Sequence, residues 1–522
     1  MTCNCVLTGP PEVSHSFEEE NMKNFRRTAL ASLINLTLAG VTDVYAADTE
    51  ALERRIRELE SRLEKLDHAG GVTNAPAVQP SPEVQKLNQK VNTLERKLEV
   101  QDETTTGFFN KLPKFEAGTG GFKISSSDDK HQLRIRGAVQ TDGRFFTDDH
   151  GDKITDRFEL KQARVWIEGR LWNDLYYKIM PDFAASNILP EAYLDYAYLR
   201  SASLAVGKMK TPLSLERLQG DSDGTFLERA FPTYLASNRD VGVMLHGEFG
   251  KPGYKAEYGG IHDFKNFFSY QVGVFNGAGD DGSLDKDAKD TNDDKEFDGR
   301  IWAHPFQHTG YSWLEGLGLG IAGSVSSPKN LALSTQSTPL GRTKFLDYTQ
   351  TLNGALAPVS DGDAYRIYPQ MYWYSGPFGV MGEYVLSSQH LKGTSITGDP
   401  LTIKQNNKAW QILASYVVTG EDNTFQGVKP IQAFNPLEGK WGALQLVARY
   451  TELDVDNKTF LLIDPNKSAT HASAWTVGFN WYLNNNALIR ADYEQVTFKG
   501  GASNGGDRPR ESAFGTRFQL AF

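Results

Sequence analysis

The chain has 522 residues, a formal net charge of -10 and a mean hydropathy of -0.46. The acidic balance argues against nucleic acid as a partner, and no run of about eighteen apolar residues follows the amino-terminal region, which excludes a bundle of transmembrane helices. The only two cysteines are Cys3 and Cys5, so the body of the chain has no disulfide and no thiolate site, and we expect no cofactor and no metal centre.

A secretory signal peptide is predicted over residues 22–46. It has a basic start, a mostly apolar centre over 29–40 and a small-residue cleavage site at Ala46. Residues 1–21 are interpreted as an upstream mis-start, and a genuine extended leader is the alternative. Cleavage after Ala46 would export the chain and remove both cysteines.

Residues 47–105 are predicted to form a periplasmic helical coiled-coil segment. Leu, Ile and Val recur at spacings of four and three over 52–66 and again over 84–98, which is typical of a heptad seam. A linker rich in Pro and Gly divides the two halves, and neither half is long enough to be stable as a lone helix in water. We expect self-association into a homotrimer. The alternative is a solvated amphipathic helix lying against the body of the protein.

The body of the chain, residues 122–522, is predicted to be an all-β transmembrane antiparallel β-barrel. In its first strand Leu133 and Ile135 share one face and Arg134 lies on the other, which gives one surface for lipid and one for water. About sixteen strands follow this pattern, an even number as single-chain bacterial barrels require. They start at residue 131 and continue over 157–171, 175–183, 191–200, 204–210, 241–249, 270–276, 297–306, 317–326, 363–374, 378–388, 408–418, 441–454, 473–483, 487–498 and 511–522.

The last strand carries a second signal, because its apolar positions lead to Phe522 at the carboxyl terminus. A strand that ends in Phe at the last position resembles the assembly signal of bacterial outer-membrane barrels. We therefore expect the barrel-assembly machinery to be a partner through Phe522, and we expect the chain in the bacterial outer membrane with its amino-terminal segment in the periplasm.

The connections between strands predict the topology. With both ends in the periplasm, short links fall on the periplasmic side and long ones, such as 211–239, 277–295 and 327–362, fall outside. The predicted periplasmic links 250–269 and 419–440 are longer than this rule expects. Within the former, residues 254–262 alternate like a strand, and we interpret them as an insertion within a turn.

Several segments of the body are similar to the phosphate-selective porin O and P family, from about residue 122 to the end. They read HQLRIRGAVQTDGRFF, ARVWIEGRLWNDLYYKIMPDF, AVGKMKTPLSLE, FLERAF and RDVGVMLHGEF. The resemblance implies a sixteen-stranded trimeric barrel that passes anions across the outer membrane. It also implies a closely spaced arginine ladder on the connection matching 327–362, where residues 330–358 of this chain offer only Arg342 and Lys344.

Cations on predicted lumen-facing positions are the candidate channel-lining residues, because rings of Arg and Lys attract anions and replace part of their hydration shell. Phosphate suits the guanidinium group best, since its fork donates two hydrogen bonds. Carboxylates on the same faces are the alternative, because they would neutralise these cations. The candidates are Arg134, Arg136, Arg144, Arg164, Lys208, Lys210, Arg300, Arg490 and Arg517.

The connection 211–239 is predicted to be the constriction, because it is long, external and carries both signs of charge. A loop that merely caps the barrel is the alternative. The candidate constriction residues are Glu216, Arg217, Asp221, Asp223, Glu228, Arg229 and Arg239.

The sequence thus predicts a porin and not an enzyme: a water-filled channel for passive diffusion of small ions and solutes, weakly anion-preferring, with phosphate and polyphosphate as candidate substrates. Lipopolysaccharide is an expected partner, bridged by divalent ions to the acidic outer loop 280–298. The alternative function is an envelope tether, in which the coiled coil binds peptidoglycan and the barrel serves as an anchor.

Overall fold

The computed structural model describes residues 51, 53–62, 64–65, 82–109, 111–147, 155–252, 260–261, 265–277, 293–351, 354–395 and 397–522. Contacts divide the chain into two units, Met1–Leu112 and Pro113–Phe522. The predicted signal peptide and the residues before it lie outside the described part of the chain. No helix among the described residues combines the length and the hydropathy needed to span a bilayer.

The first unit is helical where it is described. Residues of the range 51–65 are helical, and a 28-residue helix runs over Pro82–Phe109. In this helix Val91 is buried and the predicted seam positions Leu87, Leu94 and Leu98 are half-buried, whereas most neighbouring positions are exposed. The predicted apolar stripe therefore lies on one face of the helix, and its self-association stays a prediction.

The second unit is built almost entirely of strands. In chain order they are β1 (Lys114–Gly118), β2 (Gly121–Ser125), β3 (Gln132–Phe146), β4 (Arg157–Leu171), β5 (Leu175–Met180), β6 (Glu191–Leu199), β7 (Ala202–Lys210), β8 (Arg239–Phe249), β9 (Phe268–Phe275), β10 (Glu296–Ala303), β11 (Leu317–Ser326), β12 (Leu331–Ala332), β13 (Gln336–Ser337), β14 (Lys344–Leu346), β15 (Val359–Ser375), β16 (Phe378–Thr394), β17 (Pro400–Val417), β18 (Asn423–Thr424), β19 (Gly427–Val428), β20 (Ala443–Asp454), β21 (Ala469–Tyr482), β22 (Ala487–Gly500) and β23 (Glu511–Ala521).

Sixteen of these strands form one closed antiparallel barrel within the described residues: β3–β11, β15–β17 and β20–β23. Each pairs with its neighbours along the chain, and β23 pairs with β3 from Ala513↔Phe146 to Ala521↔Ala138, which closes the ring. The predicted number of strands and their order are confirmed. β16 and β17 extend beyond their predicted limits, β16 as far as Thr394 and β17 back to Pro400.

The two faces of the wall have the predicted characters. In β23, Phe514, Phe518 and Leu520 are exposed on the outer face, whereas Arg517 and Gln519 are buried on the inner face. Phe522 is joined to β3 by two backbone hydrogen bonds with Gly137, of 2.8 and 2.9 Å. A Cβ atom at position 137 would lie 2.7 Å from the Phe522 ring, so glycine allows this ring to pack on the strand.

The interior of the barrel is partly filled by connections that fold inward. The predicted external connections 211–238, 327–358 and 455–468 share one apolar cluster, in which the Phe231 and Phe345 rings lie 5.6 Å apart and Leu462 is buried. The first contains a short helix, Leu215–Leu218, and a 3₁₀ turn, Phe231–Leu235; the third contains the 3₁₀ turn Asn457–Leu461. Burial of these apolar side chains holds the connections inside the ring of strands.

The two long predicted periplasmic links also turn inward, which accounts for their length. Phe425, between β18 and β19, stacks on Tyr372 with ring centroids 5.2 Å apart, and its carbonyl accepts a 2.7 Å hydrogen bond from Gln219; the 3₁₀ turn Pro436–Glu438 follows. In the link between β8 and β9, Ile261 is buried beside Met209 and Met244. The strand-like residues before it, 253–259, lie outside the described part of the chain.

Candidate constriction of the channel

The connection 211–238 is attached to the wall at its start. Ser214 caps the short helix: its hydroxyl accepts from the Arg217 amide at 3.4 Å and donates to the Glu383 carboxylate of β16 at 3.0 Å. The Leu215 amide donates to the same carboxylate at 2.8 Å. A carboxylate is favourable where free amides point out of the first turn of a helix. Glu383 therefore fixes where the connection enters the lumen.

The far side of the connection is held by β20 and β22. Arg449 donates to the Glu228 carbonyl at 2.8 Å and forms ion pairs with Glu216 and Glu494 at 3.3 and 3.4 Å. Arg490 donates to the Phe226 carbonyl at 2.9 Å and also to the Gly224 carbonyl. The Asp492 carboxylate accepts from the Leu227 amide at 2.7 Å. These bonds reach strands far from β7 and β8, so the connection crosses the lumen.

Glu228 is the centre of a charge cluster where the connection meets β3, β4 and β23. Its carboxylate accepts from Lys161 at 2.8 Å and Arg342 at 2.6 Å, and also from Arg144, while Arg517 lies 3.9 Å away. Burial favours the neutral carboxyl, but attraction from these cations outweighs it and holds the pKa of Glu228 well below its usual range.

Two further carboxylates complete this cluster, which we call the Glu228 cluster. Asp142 accepts from Arg517 at 2.7 and 2.8 Å and from Arg144 at 3.0 Å. Glu159 pairs with Arg144 and Arg342, each at 3.0 Å. Arg157 also pairs with Glu159, at 3.2 Å. Among the described residues the cluster thus has five cations and three carboxylates, a net charge of about +2: Lys161, Arg144, Arg157, Arg342 and Arg517 against Asp142, Glu159 and Glu228.

Asp221 is the centre of a second cluster on the same connection. It pairs with Arg164 of β4, with Arg229 of the connection itself and with Arg239 at 3.3 Å. Arg164 also pairs with Asp182 at 2.9 Å. Burial opposes ionisation of Asp221, but the nearby guanidinium groups hold its pKa well below the usual range.

A cavity of about 500 Å³ lies between these two clusters. Both signs of charge line it. Within the described part of the chain, the cations that line it are Lys161, Arg164, Arg229, Arg239, Arg342 and Arg517. The carboxylates are Glu159, Asp182, Glu216, Asp221 and Glu228. The lining of the cavity is therefore polar, with six cations and five carboxylates, a small positive excess.

The remaining predicted residues lie elsewhere in the barrel. Arg136 pairs with Glu168 at 2.8 Å, and Arg134 donates to the Gly120 carbonyl at 2.8 Å. Arg300 is buried and lies 4.7 Å from the centroid of the Trp302 ring. Lys210 donates to the Gln219 carbonyl at 2.9 Å.

Three predicted residues need a different assignment. Lys208 is in register with Val241, which is exposed on the outer face, and register partners share a face, so its strand position is not lumenal. Arg217 is buried and donates to the Thr233 carbonyl at 2.7 Å within the connection, and Arg490 is bonded to the carbonyls named above. Arg217 and Arg490 therefore hold the connection in place instead of facing the passage.

Asp223 of the same connection is half-buried, and burial raises its pKa to about 6.

Lys161 and Glu159 were missed by the sequence reasoning because of a β-bulge. Pairing between β3 and β4 shifts register after Gln140↔Gln162, so that Thr141 pairs with Leu160. The extra residue reverses which positions face inward, and it brings odd-numbered Glu159 and Lys161 to the same interior as Arg164. The sequence does carry a signal, because apolar positions change from even at Phe158 and Leu160 to odd further along the strand.

A closed barrel with an apolar outer face, a polar interior and charged connections folded into it is the architecture of an outer-membrane porin. The model of one family, described as phosphate-selective porin O and P, matches residues 133–522. The chain belongs to this family.

Individual relatives are distant. Porin O of Pseudomonas aeruginosa is 22% identical over 432 residues, which are 77% of this chain and 91% of that protein. The outer membrane channel DcaP of Acinetobacter baumannii has a TM-score of 0.47 at 12% identity, over 77% of this chain and 100% of that chain. An anion-selective porin from Comamonas acidovorans has a TM-score of 0.44 at 11% identity, over 75% of this chain and 100% of that chain.

Proposed function

We propose that this chain forms a water-filled channel for passive diffusion of small ions and solutes, with a weak preference for anions. The observation that carries the proposal is the charge balance of the Glu228 cluster, with five cations against three carboxylates. A small positive excess attracts anions, and the carboxylates limit that attraction. The constriction residues of the proposal are those that line the cavity between the connection 211–238 and strands β3, β4 and β23.

A high-affinity phosphate site requires more than a positive excess. Several guanidinium or ammonium groups must converge on one ion from which water has been removed. Here Arg342 and Arg517 already donate to carboxylates, so an entering phosphate would compete with Glu159, Asp142 and Glu228 for the same donors. We therefore assign phosphate as one of several permeating anions and not as a tightly bound substrate.

The proposed channel is a homotrimer in the outer membrane, with the long connections outside and the carboxyl terminus at the periplasmic rim. The apolar outer face and the pairing of Phe522 with β3 support this orientation, because the chain end then lies with the short turns.

The test is a planar-bilayer recording of the purified full-length protein. In a potassium chloride gradient we expect a reversal potential displaced modestly toward the chloride equilibrium potential. Micromolar phosphate added to symmetric chloride should leave the current unchanged. A cation-selective reversal potential would contradict the proposed preference, and strong block by micromolar phosphate would contradict the absence of a tight site.

A further inference from the structure

A polar row crosses the outer surface of the wall near the predicted extracellular rim. It consists of Lys408 in β17, Asp454 in β20, His471 in β21 and Lys499 in β22, each in register with the next. Register partners share a face, and Lys408, Asp454 and Lys499 are exposed. The row therefore points away from the lumen and into the surroundings of the barrel.

The level of this row in the membrane follows from the aromatic residues beside it. On the same face, deeper along the same strands, Trp410 packs on Tyr450 at 5.5 Å and Trp475 on Tyr493 at 5.4 Å. Trp and Tyr concentrate where lipid tails meet headgroups. A charged row on the loop side of such a belt lies among the headgroups, where an outward charge costs little compared with the middle of the bilayer.

The middle and the ends of the row differ in what they offer a ligand. Asp454 and His471 are joined by a 2.7 Å hydrogen bond, so each already has a polar partner within the row. Lys408 and Lys499 form no ion pair with any of the described residues. A third lysine, Lys404, lies further out on the same face of β17, with its ammonium 5.5 Å from the centroid of the Tyr365 ring.

A cavity of about 530 Å³ lies over this row, lined also by Asn406 and Thr470. The other carboxylate at the cavity, Asp456, already accepts from the backbone amides of Asn406 and Lys458 at 2.9 and 3.0 Å. The site therefore combines two lysines, which form no ion pair in the described part of the chain, with amide and hydroxyl groups that line the same cavity. This is complementary to a ligand that carries phosphates and sugar hydroxyls.

We propose that this row binds the phosphorylated sugar headgroup of the outer-leaflet glycolipid, lipopolysaccharide. Three strand spacings of about 4.8 Å place Lys408 and Lys499 roughly 14 Å apart. That separation suits two phosphates on one large headgroup better than the single phosphate of a phospholipid. The site is distinct from the lumen, so it goes beyond the channel function proposed above.

The experiment is native mass spectrometry of the full-length porin in neutral detergent, titrated separately with bisphosphorylated lipid A, dephosphorylated lipid A and phosphatidylglycerol. We expect the wild type to bind bisphosphorylated lipid A most tightly. The double variant Lys408→Gln/Lys499→Gln should bind it roughly tenfold to thirtyfold more weakly, because each lysine at a membrane surface contributes about a factor of five.

The matched control is Lys429→Gln/Lys440→Gln, which removes the same charge from the predicted periplasmic connection. This control should bind lipid A like the wild type, and both double variants should keep the wild-type single-channel conductance, which verifies that they are folded. Equal binding by Lys408→Gln/Lys499→Gln and the wild type would overturn the proposal. Equal binding of dephosphorylated lipid A or of phosphatidylglycerol by the wild type would also overturn it, because the site would then recognise acyl chains or any anionic lipid.

Discussion

Replacing Glu228 by Gln tests whether the carboxylates of the constriction set its selectivity. The substitution keeps the size of the side chain and removes the negative charge that Lys161, Arg144 and Arg342 share. The two arginines keep other partners, because Arg144 remains paired with Asp142 and Glu159, and Arg342 with Glu159. The net charge of the Glu228 cluster then rises from about +2 to about +3, and we expect the anion preference to increase.

The magnitude follows from Coulomb's law. An anion that passes about 6 Å from Glu228 is repelled by about 0.7 kcal/mol at the dielectric constant of water and by about 2.8 kcal/mol at an effective value of 20. Salt in a wet passage screens the interaction, so the smaller value applies. Anion occupancy should then rise about threefold and cation occupancy fall about threefold, which makes the anion-to-cation permeability ratio about tenfold larger.

The assay is the reversal potential in a potassium chloride gradient, measured for Glu228→Gln, Glu228→Asp and the wild type. Glu228→Asp keeps the charge and should behave like the wild type. The matched control Glu438→Gln removes an exposed carboxylate of the predicted periplasmic connection, and we expect it to change little. An unchanged or smaller permeability ratio in Glu228→Gln would refute the reasoning, because the carboxylate would then lie outside the path of the ions.

Three other predictions concern pH, the anchoring of the connection and assembly. Because burial raises the pKa of Asp223 to about 6, its carboxylate is mostly charged at pH 7.5 and mostly neutral at pH 5; anion preference should rise on acidification, and Asp223→Asn should reduce that pH dependence in reversal-potential measurements. Arg449→Leu leaves Glu216 and Glu494 without their shared cation at a cost of about 3–5 kcal/mol; a loosened connection should appear as larger and noisier single-channel conductance, and wild-type traces would contradict this. Leu59→Asp/Leu63→Asp places charges in the predicted seam and should reduce trimers in mild detergent; undiminished trimers would assign assembly to the barrel alone.

The barrel was predictable because its signal repeats. Every wall strand carries the same two-residue alternation, so one irregular strand does not change the count, and the strands 157–171 and 317–326 match β4 and β11 in the structure. The alternation also assigned Arg144, Arg164 and Arg517 to the inner face. These predictions needed only the chemistry of side chains on a pleated surface.

Other features depend on contacts that a local pattern does not contain. The bulge between β3 and β4 moves Lys161 inward, and only the parity change of nearby apolar residues indicates it. The inward fold of the link that carries Phe425 depends on Tyr372, which is distant in sequence. The sequence also left open whether carboxylates neutralise the lumenal cations, and the structure pairs four of the nine, Arg136, Arg144, Arg164 and Arg517, with carboxylates of other strands and connections.

In the proposed constriction, the groups that bind the backbone of the connection differ from the carboxylates that line the cavity. Arg449 and Arg490 bind backbone carbonyls of the connection, and Asp492 binds the Leu227 amide. The carboxylates of Asp221 and Glu228, in contrast, line the cavity. A substitution at either carboxylate changes the charge that an ion meets but leaves the backbone anchors intact. Selectivity in this barrel can therefore vary at positions 221 and 228. Each change also removes an ion pair to the wall, with Arg164 or with Lys161, so the connection then depends on its backbone anchors.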